Sequence, residues 1–354
     1  MATTAEAASG EADATVARRD DPIAVLGAGS WGTALAVQLA RAGNAVRLWG
    51  RDADAIGLMR DARVNRRYLP NAPFPDALEA EPSFSRALIG SRTVLVVVPS
   101  HAFRATLERL GPHAEAVGER FGLAWATKGL ELSSGELPHR VARASLPAVH
   151  RLAVLSGPTF ATEVGLGLPT AMTIAASDPE FADELAARIR SETFRPYTSA
   201  DIVGVEVGGA VKNALAIAAG LSDGLGYGAN ARIALINRGL REMTRFGVAL
   251  GAEESTFAGL AAMGDLVLTC TDDQSRNRRM GLALAAGKGL DAAAAEIGQV
   301  VEGVKAAQAV RARAARLGVD MPIVEEVCRI VHEGEDPREA VRRLMTRTSG
   351  PESG

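Results

Sequence analysis

Residues 23–36 read IAVLGAGSWGTALA, and this stretch decides the fold of the first half of the chain. Its apolar start, Ile23–Leu26, is typical of a buried parallel strand. The glycines that follow match the dinucleotide fingerprint, in which each glycine has a steric role of its own. Gly27 permits a tight turn, Gly29 lets the backbone approach a pyrophosphate, and Gly32 lets the next helix pack close to the sheet. The stretch predicts a dinucleotide held at the helix N-terminus.

The residues after the second strand bear on the choice of cofactor. A β-type run, Ala45–Trp49, follows at the spacing of a βαβ unit, which favours a nucleotide site over a glycine-rich turn without a ligand. Arg51 comes next and favours NADP, whose 2′-phosphate an arginine can meet, whereas Asp52 would suit the ribose hydroxyl of NAD. Both can equally be solvated turn residues. We predict NADPH or NADH as the cofactor.

Composition limits the classes of protein that need to be considered. The chain has 354 residues, a length that suits two domains, and is 47% hydrophobic and 23% charged. A net charge of −3 gives no reason to expect a nucleic-acid or membrane partner. The two cysteines, Cys270 and Cys328, have neither metal nor disulfide spacing, and the five histidines are scattered singly. We therefore expect no metal site, and no apolar run reaches the length of about 20 residues that a membrane-spanning helix needs.

The pattern of elements predicts an α/β fold, with an N-terminal Rossmann-type doubly wound sheet and a C-terminal all-α domain. Strands are predicted over 23–26, 45–49, 93–98, 122–127, 151–155, 171–176 and 194–198. Helices alone are predicted afterwards, over 202–220, 230–247, 253–263, 276–287, 303–317 and 323–332. We place the dinucleotide-binding domain at 21–203 and the helical domain at 204–346.

The two ends of the chain carry no pattern of a packed element. Residues 1–20 have almost no large apolar side chain, so we expect a disordered tail, and 347–354 are expected to be a loose end. The tail has no apolar core of a secretory signal and is too acidic for a typical transit peptide. We predict a cytoplasmic protein.

Lys212 is the clearest candidate for chemistry because it lies in a helix that is apolar nearly all round. Burial disfavours the charged form of a lysine and lowers its pKa, which makes it a workable general base. The alternative is a lysine that extends to the surface at the helix edge. Lys128 follows a strand end, where α/β sheets bind ligands, but a solvated loop lysine would look the same.

A second polar cluster follows in the helical half of the chain. Asp265 and Thr269 place a carboxylate and a hydroxyl around a predicted apolar turn at 264–271, and SRNRR follows at 275–279. Arg276 and Asn277 at a helix start are suited to a phosphate. A basic solvated face is the alternative, and it fits Arg278 and Arg279 well. The short turn at 300–303 is not distinctive by itself.

Together these segments resemble the NAD(P)-dependent glycerol-3-phosphate dehydrogenase family of bacterial type. The matching segments are GAGSWG (27–32), ATKGL (126–130), SGPTFA (156–161), VKNA (211–214), GDLVLTC (264–270), SRN (275–277) and VEG (301–303). Each is weak alone, but the ordered set is specific. Met263 stands where the motif leads us to expect Leu, a change that conserves volume.

The resemblance implies reversible reduction of dihydroxyacetone phosphate to glycerol 3-phosphate, for glycerophospholipid synthesis, with Lys212 as the general acid and base. The implied substrate-binding residues are Lys128, Gly157, Thr159, Lys212, Asp265, Ser275, Arg276 and Asn277. The implied cofactor-binding residues are Gly27, Gly29, Ser30, Trp31, Gly32, Arg51, Lys128, Ala161, Arg276, Val300 (or Val301) and Glu302. A homodimer is expected by family habit.

Two other functions are compatible with parts of this pattern. One is another two-domain dehydrogenase that acts on a different small hydroxy acid or phosphate, although the arginine–asparagine pair favours a phosphorylated triose. The other is a nucleotide sensor without chemistry, which would have no reason to keep Lys212, Asp265 and Thr269 together.

Overall fold

The computed structural model describes residues 21–346, so the predicted tails at 1–20 and 347–354 lie outside the described part of the chain. A single sheet runs through its first half. The strands of this sheet are β1 (Ile23–Leu26), β2 (Val46–Trp49), β3 (Leu78–Ala80), β4 (Thr93–Val96), β5 (Gly122–Trp125), β6 (Arg151–Ser156), β7 (Thr170–Ala176) and β8 (Phe194–Ser199). Their spatial order is β3-β2-β1-β4-β5-β6-β7-β8.

Helices cover both faces of the sheet, as predicted for a doubly wound fold. They are α1 (Ser30–Arg41), α2 (Ala53–Ala62), α3 (Phe84–Leu88), α4 (Ser100–Val117), α5 (Pro138–Ser145), α6 (Ala161–Leu166) and α7 (Pro179–Ile189). Two apolar cores result, one on each face of the sheet. Neighbouring strands are parallel except for β6 and β7, which pair antiparallel. The sequence did not predict this reversal, because apolar content does not reveal strand direction.

The second half of the described chain is helical, which confirms the predicted fold class. Its α-helices are α8 (Ile202–Gly224), α9 (Gly228–Ala249), α10 (Asp265–Thr271), α11 (Arg276–Ala285), α12 (Leu290–Ile297), α13 (Glu302–Leu317), α14 (Pro322–Glu333) and α15 (Pro337–Thr346). The predicted boundary between residues 203 and 204 lies in the first turn of α8.

The prediction of one helix over 253–263 was wrong. A 3₁₀ turn, Glu254–Ala258, and a π turn, Leu260–Gly264, meet there at Gly259, whose backbone is extended (φ −90°, ψ −174°). The π turn runs directly into α10, so the segment expected to be an apolar turn after Gly264 is a helix. Apolar periodicity at 3.6 residues does not distinguish these variants from a regular helix.

Helix α8 is the centre of the helical domain. It is long and apolar enough to cross a membrane, but 94% of its most apolar window is buried inside the protein, as in a core helix. Its burial depends on glycines where neighbours approach closely. A Cβ on Gly220 would lie 2.0 Å from the carbonyl oxygen of Arg278, and one on Gly281 of α11 would lie 2.1 Å from that of Ile217. Helices α8 and α11 therefore pack backbone against backbone.

A buried carboxylate joins α8 to the sheet. Glu206 accepts hydrogen bonds from Trp125 Nε1 (3.1 Å) on β5 and from the backbone N–H of His139 (2.8 Å) on α5. Its second oxygen lies 2.5 Å from His139 Nδ1. Burial raises the pKa of Glu206, although these donors oppose the shift. These three contacts fix the start of α8 against the first domain.

The helix contact predicts opposite effects for two glycine-to-alanine changes. Gly281→Ala puts a methyl group against backbone and should lower the free energy of unfolding by about 1–3 kcal/mol. Gly57→Ala in α2 has open space within 4 Å and should raise it by about 0.5–1 kcal/mol. Urea unfolding of both variants tests this, and a neutral Gly281→Ala would contradict the close packing.

Candidate active site

The glycine loop has the shape that a dinucleotide needs. Gly27 has φ +124°, and a Cβ there would lie 2.2 Å from the carbonyl oxygen of Val97. A Cβ on Gly32 would lie 1.8 Å from the carbonyl oxygen of Gly27. A Cβ on Gly29, by contrast, would meet nothing within 4 Å. Gly27 and Gly32 close the turn against the sheet. The open side at Gly29 leaves room for a phosphate to approach the backbone.

Helix α1 begins at Ser30 with no side-chain cap, so the N–H groups of its first turn remain available to an anion. Trp31 adds a buried indole Nε1 without a hydrogen-bond partner among the described residues. Asn65, which the sequence analysis missed, supports the loop from behind. It is fully buried and donates to the carbonyl oxygen of Ala28 (3.1 Å) and to Thr33 Oγ1 (2.9 Å). These features fit a dinucleotide phosphate.

The structure separates the roles of Arg51 and Asp52. Asp52 caps α2, and its Oδ1 accepts a hydrogen bond of 3.0 Å from the backbone N–H of Ala55. Arg51 is exposed and makes no hydrogen bond or ion pair within residues 21–346. Asp52 is therefore engaged in its own helix, and Arg51 is the side chain that is available to a ligand.

Two lysines from different domains share one carboxylate. Lys128 Nζ, just beyond β5, lies 2.8 Å from Asp265 Oδ2, and Lys212 Nζ on α8 lies 2.6 Å from Asp265 Oδ1. Lys212 also donates to Thr269 Oγ1 at 3.0 Å, and that hydroxyl donates to the carbonyl oxygen of Asp265 at 2.5 Å. The structure thus brings together four residues from three separate segments of the chain.

Burial controls the electrostatics of this cluster. Lys212 is only 7% exposed, and desolvation lowers its pKa to about 8. Asp265 opposes that shift, whereas the positive charge of Lys128 adds to it. Burial acts to raise the pKa of Asp265, but the two lysines together hold it below its ordinary value. Lys212 is buried and does not extend to solvent. The geometry therefore favours the interpretation of Lys212 as a buried general base over that of a surface lysine.

The loop after β6 faces the same cluster. Gly157 is buried, and a Cβ there would lie 2.8 Å from Cα of Met172. The hydroxyl of Thr159 donates to the carbonyl oxygen of Gly157 at 3.2 Å. Ala161 opens α6. A Cβ on Gly209 of α8 would lie 3.2 Å from Ser156 Oγ and 3.5 Å from Cγ of Lys128, so β6, the lysine and α8 meet here.

The predicted phosphate segment opens α11. Ser275 caps this helix, and its Oγ accepts a hydrogen bond of 3.2 Å from the backbone N–H of Arg278. Arg276 donates to Gln299 Oε1 at 3.3 Å in an exposed position. Asn277 is buried and donates to Asn213 Oδ1 at 2.9 Å. Asn213, which follows Lys212 on α8, is therefore hydrogen-bonded to the phosphate segment.

Asn277 also contacts the start of α13. Its Oδ1 accepts a hydrogen bond of 2.9 Å from the backbone N–H of Gly303, next to Glu302, the first residue of that helix. Val300 is 52% exposed in the preceding loop. Gly303 has a steric reason to be glycine, because a Cβ there would lie 2.5 Å from the carbonyl oxygen of Asn213.

The interpretation of Arg278 as part of a solvated basic face was wrong. Its side chain is buried and pairs with Asp223 and Asp273. Arg279 is exposed, as expected. The sequence could not distinguish them, because the partners of Arg278 lie on other elements.

A contact between the two halves of the chain was also missed. Gln274 Nε2 donates to Glu163 Oε1 on α6 at 2.9 Å, which links the segment before α11 to the first domain. Within residues 21–346 there is no group of three or more His, Cys, Asp or Glu side chains placed to hold a metal ion. What the site offers is a buried lysine with a lowered pKa, a second cation and helix N-termini for anions.

Comparison with known proteins gives a consistent result. The family model described as NAD-dependent glycerol-3-phosphate dehydrogenase N-terminus matches residues 22–182, and the one described as its C-terminus matches residues 201–342. A Thioalkalivibrio sulfidiphilus protein named glycerol-3-phosphate dehydrogenase (NAD(P)+) is 54% identical over 331 residues, which are 94% of this chain and 98% of that protein.

Other relatives agree. A Pectobacterium carotovorum protein of the same name is 51% identical over 335 residues, with 94% of this chain and 98% of that protein covered. The crystal structure of glycerol-3-phosphate dehydrogenase from Coxiella burnetii superimposes with a TM-score of 0.88 at 47% identity. It covers 92% of this chain and 99% of that one.

The shared carboxylate predicts a large loss of stability on its removal. Asp265→Asn leaves two lysine charges in a buried site with no countercharge and should lower the free energy of unfolding by about 3–5 kcal/mol. Lys212→Met in the same chain removes one of these charges and should restore part of the loss. Asp272→Asn nearby is the control. Urea titration measures all three, and an Asp265→Asn protein as stable as the parent would contradict the charge arrangement.

Proposed function

This chain belongs to the NAD-dependent glycerol-3-phosphate dehydrogenase family, and from that premise we propose how its residues carry out the family reaction. The reaction is the reversible, NAD(P)H-dependent reduction of dihydroxyacetone phosphate to glycerol 3-phosphate. One observation carries the assignment of roles: Lys212, buried on α8, shares Asp265 with Lys128 from the other domain. This arrangement supports the assignment of a proton donor and a second cation to the place where the two domains meet.

The glycine loop and the helix N-terminus behind it hold the cofactor. The open side of Gly29 and the free N–H groups of α1 support this role. When bound, the reduced nicotinamide supplies the hydride that the carbonyl carbon accepts. The residues assigned to this site are Gly27, Gly29, Ser30, Trp31, Gly32, Arg51, Lys128, Ala161, Arg276, Val300 and Glu302.

The substrate needs an anchor for its phosphate and a proton donor for its carbonyl oxygen. Arg276 and Asn277 in the first turn of α11 supply the anchor, because a guanidinium and a helix N-terminus both favour a dianion. Ser275 contributes as the cap that starts the helix. The residues assigned to the substrate are Lys128, Gly157, Thr159, Lys212, Asp265, Ser275, Arg276 and Asn277.

Lys212 transfers the proton. In the direction of reduction its ammonium group donates to the oxygen on which negative charge develops, and in the direction of oxidation its amine accepts the hydroxyl proton. Asp265 and Thr269 orient Nζ. Lys128 is the second cation that stabilises the developing charge.

The setting of the reaction follows from the same assignment. We propose that reduction is the working direction and that its product feeds glycerophospholipid synthesis. We also propose a cytoplasmic homodimer, which the family resemblance supports.

The pKa of Lys212 predicts opposite pH profiles for the two directions. Reduction needs the charged lysine, so its kcat/KM should fall as pH rises through about 8, and kcat/KM for oxidation of glycerol 3-phosphate should rise over the same range.

Lys212→Ala should lose at least about 100-fold in kcat while it still binds NADPH. The loss of reduced-cofactor absorbance gives the rates, and fluorescence titration gives the binding.

Lys288→Ala, on an exposed side chain, is the matched control for charge removal. Near-parental turnover of Lys212→Ala would rule out its role as proton donor. Absence of cofactor oxidation by the parent enzyme with dihydroxyacetone phosphate would rule out the reaction itself.

Arg51 predicts a preference for NADPH over NADH. Because Asp52 caps α2, Arg51 is the side chain at this position that remains available to a 2′-phosphate. Arg51→Ala should lower kcat/KM for NADPH about 10-fold or more and leave that for NADH nearly unchanged. Parallel assays with both cofactors test this, with exposed Arg60→Ala as the control. Equal losses with both cofactors would contradict a 2′-phosphate contact.

A further inference from the structure

Arg278 occupies a buried position among three segments of the active site. Its side chain is the third of α11, two residues after Arg276, and only 8% of the residue is exposed. Its Nε donates to the carbonyl oxygen of Cys270 at 3.1 Å. Its Nη1 and Nη2 lie 2.8 Å from Asp273 Oδ1 and 2.7 Å from Asp223 Oδ2. The planar guanidinium is thus engaged on all three of its nitrogens.

The three partners belong to the elements that carry the chemistry. Cys270 follows Thr269 on α10, the helix that begins with Asp265. Asp273 lies in the loop between α10 and α11, which leads to the phosphate segment. Asp223 lies near the end of α8, the helix of Lys212. Arg278 therefore connects the helix of the proton donor, the helix of its carboxylate and the helix of the phosphate anchor through one side chain.

The energetics make this connection specific. Asp223 is also held by Arg232 of α9, at 2.7 Å, so that two arginines fix one carboxylate. The Asp223 and Arg278 side chains are each 10% exposed, whereas that of Asp273 is 77% exposed. An ion pair so close to solvent contributes little to stability. Removal of one partner of a buried pair is strongly destabilising, because it leaves an uncompensated charge. Of the two ion pairs of Arg278, the one with Asp223 therefore contributes more to holding α11 in place.

We propose that Arg278 is the positioning residue of the phosphate subsite: it sets the place of Arg276 and Asn277 relative to Lys212 without touching the substrate itself. This inference rests on the proposed function. A guanidinium is needed because its fork reaches three acceptors in fixed directions, whereas a lysine ammonium on a flexible stem does not. Loss of the fork lets the first turn of α11 shift relative to α8 and α10.

The test is Arg278→Lys, which keeps the charge and removes the fork. A small displacement of an anchoring group is costly, so KM for dihydroxyacetone phosphate should rise about 10-fold or more. The inhibition constant of inorganic phosphate, used as a competitive inhibitor, should rise by the same factor. KM for NADPH should rise much less than this, because Arg276 is only one of the eleven residues assigned to the cofactor. The pH at which Lys212 titrates should stay nearly unchanged.

Three further variants sharpen the test. Asp223→Asn should reproduce the effect, Asp273→Asn should produce little of it, and Arg279→Lys, an exposed neighbour on the same helix, should produce none. Circular dichroism at the assay temperature confirms that each variant is folded.

The outcomes separate the inference from the function it rests on. An active Arg278→Lys enzyme with parental KM for dihydroxyacetone phosphate overturns the positioning role. An equal rise in KM for NADPH also overturns it, because it shows a general structural effect. A parent enzyme without activity overturns the proposed function instead, whatever the variants do to phosphate binding.

Discussion

The carboxylate of Asp265 is the group on which the rest of the site depends. It is fully buried, and such a charge is tolerated in a protein interior only when it is paired and hydrogen-bonded. Its partners, Lys128 and Lys212, come from the two halves of the chain, so the ion pairs are also a contact between the sheet domain and the helical domain. Asp265 therefore serves both stability and chemistry. Its pair with Lys128 joins the two domains, and its pair with Lys212 favours the charged form of a buried lysine.

The parts of this molecule that local sequence determines were predictable. The glycine loop is one, because the steric role of each glycine is a property of a short segment. Lys212 is another, because a lysine in an otherwise apolar helix signals burial. Arg278 could not be predicted in this way, since its partners are contributed by α8, by α10 and by the loop between α10 and α11. The antiparallel pairing of β7 and the break at Gly259 were not predicted for a related reason. Strand direction and local helix type are set by packing rather than by the apolar pattern.

The close contact of α8 and α11 explains how the site keeps its geometry. Backbone packs against backbone at Gly220 and Gly281, so little side-chain adjustment is available there. The phosphate segment begins α11, and Lys212 lies on α8, so the distance between anchor and proton donor is set largely by the helix contact and by the groups that bridge it. Asn277 extends the same frame to the start of α13 through Asn213 and Gly303.

The apolar character of α8 also has a consequence for how the protein is made. Its covering helices, α9, α11 and α13, all follow it in the chain, and α13 ends at Leu317. During synthesis the ribosome therefore exposes a hydrophobic segment of 23 residues for as long as it takes to translate roughly another hundred, at about 5–20 residues per second. For those seconds the nascent chain resembles a client of chaperones or of the membrane-insertion machinery more than it resembles the finished enzyme.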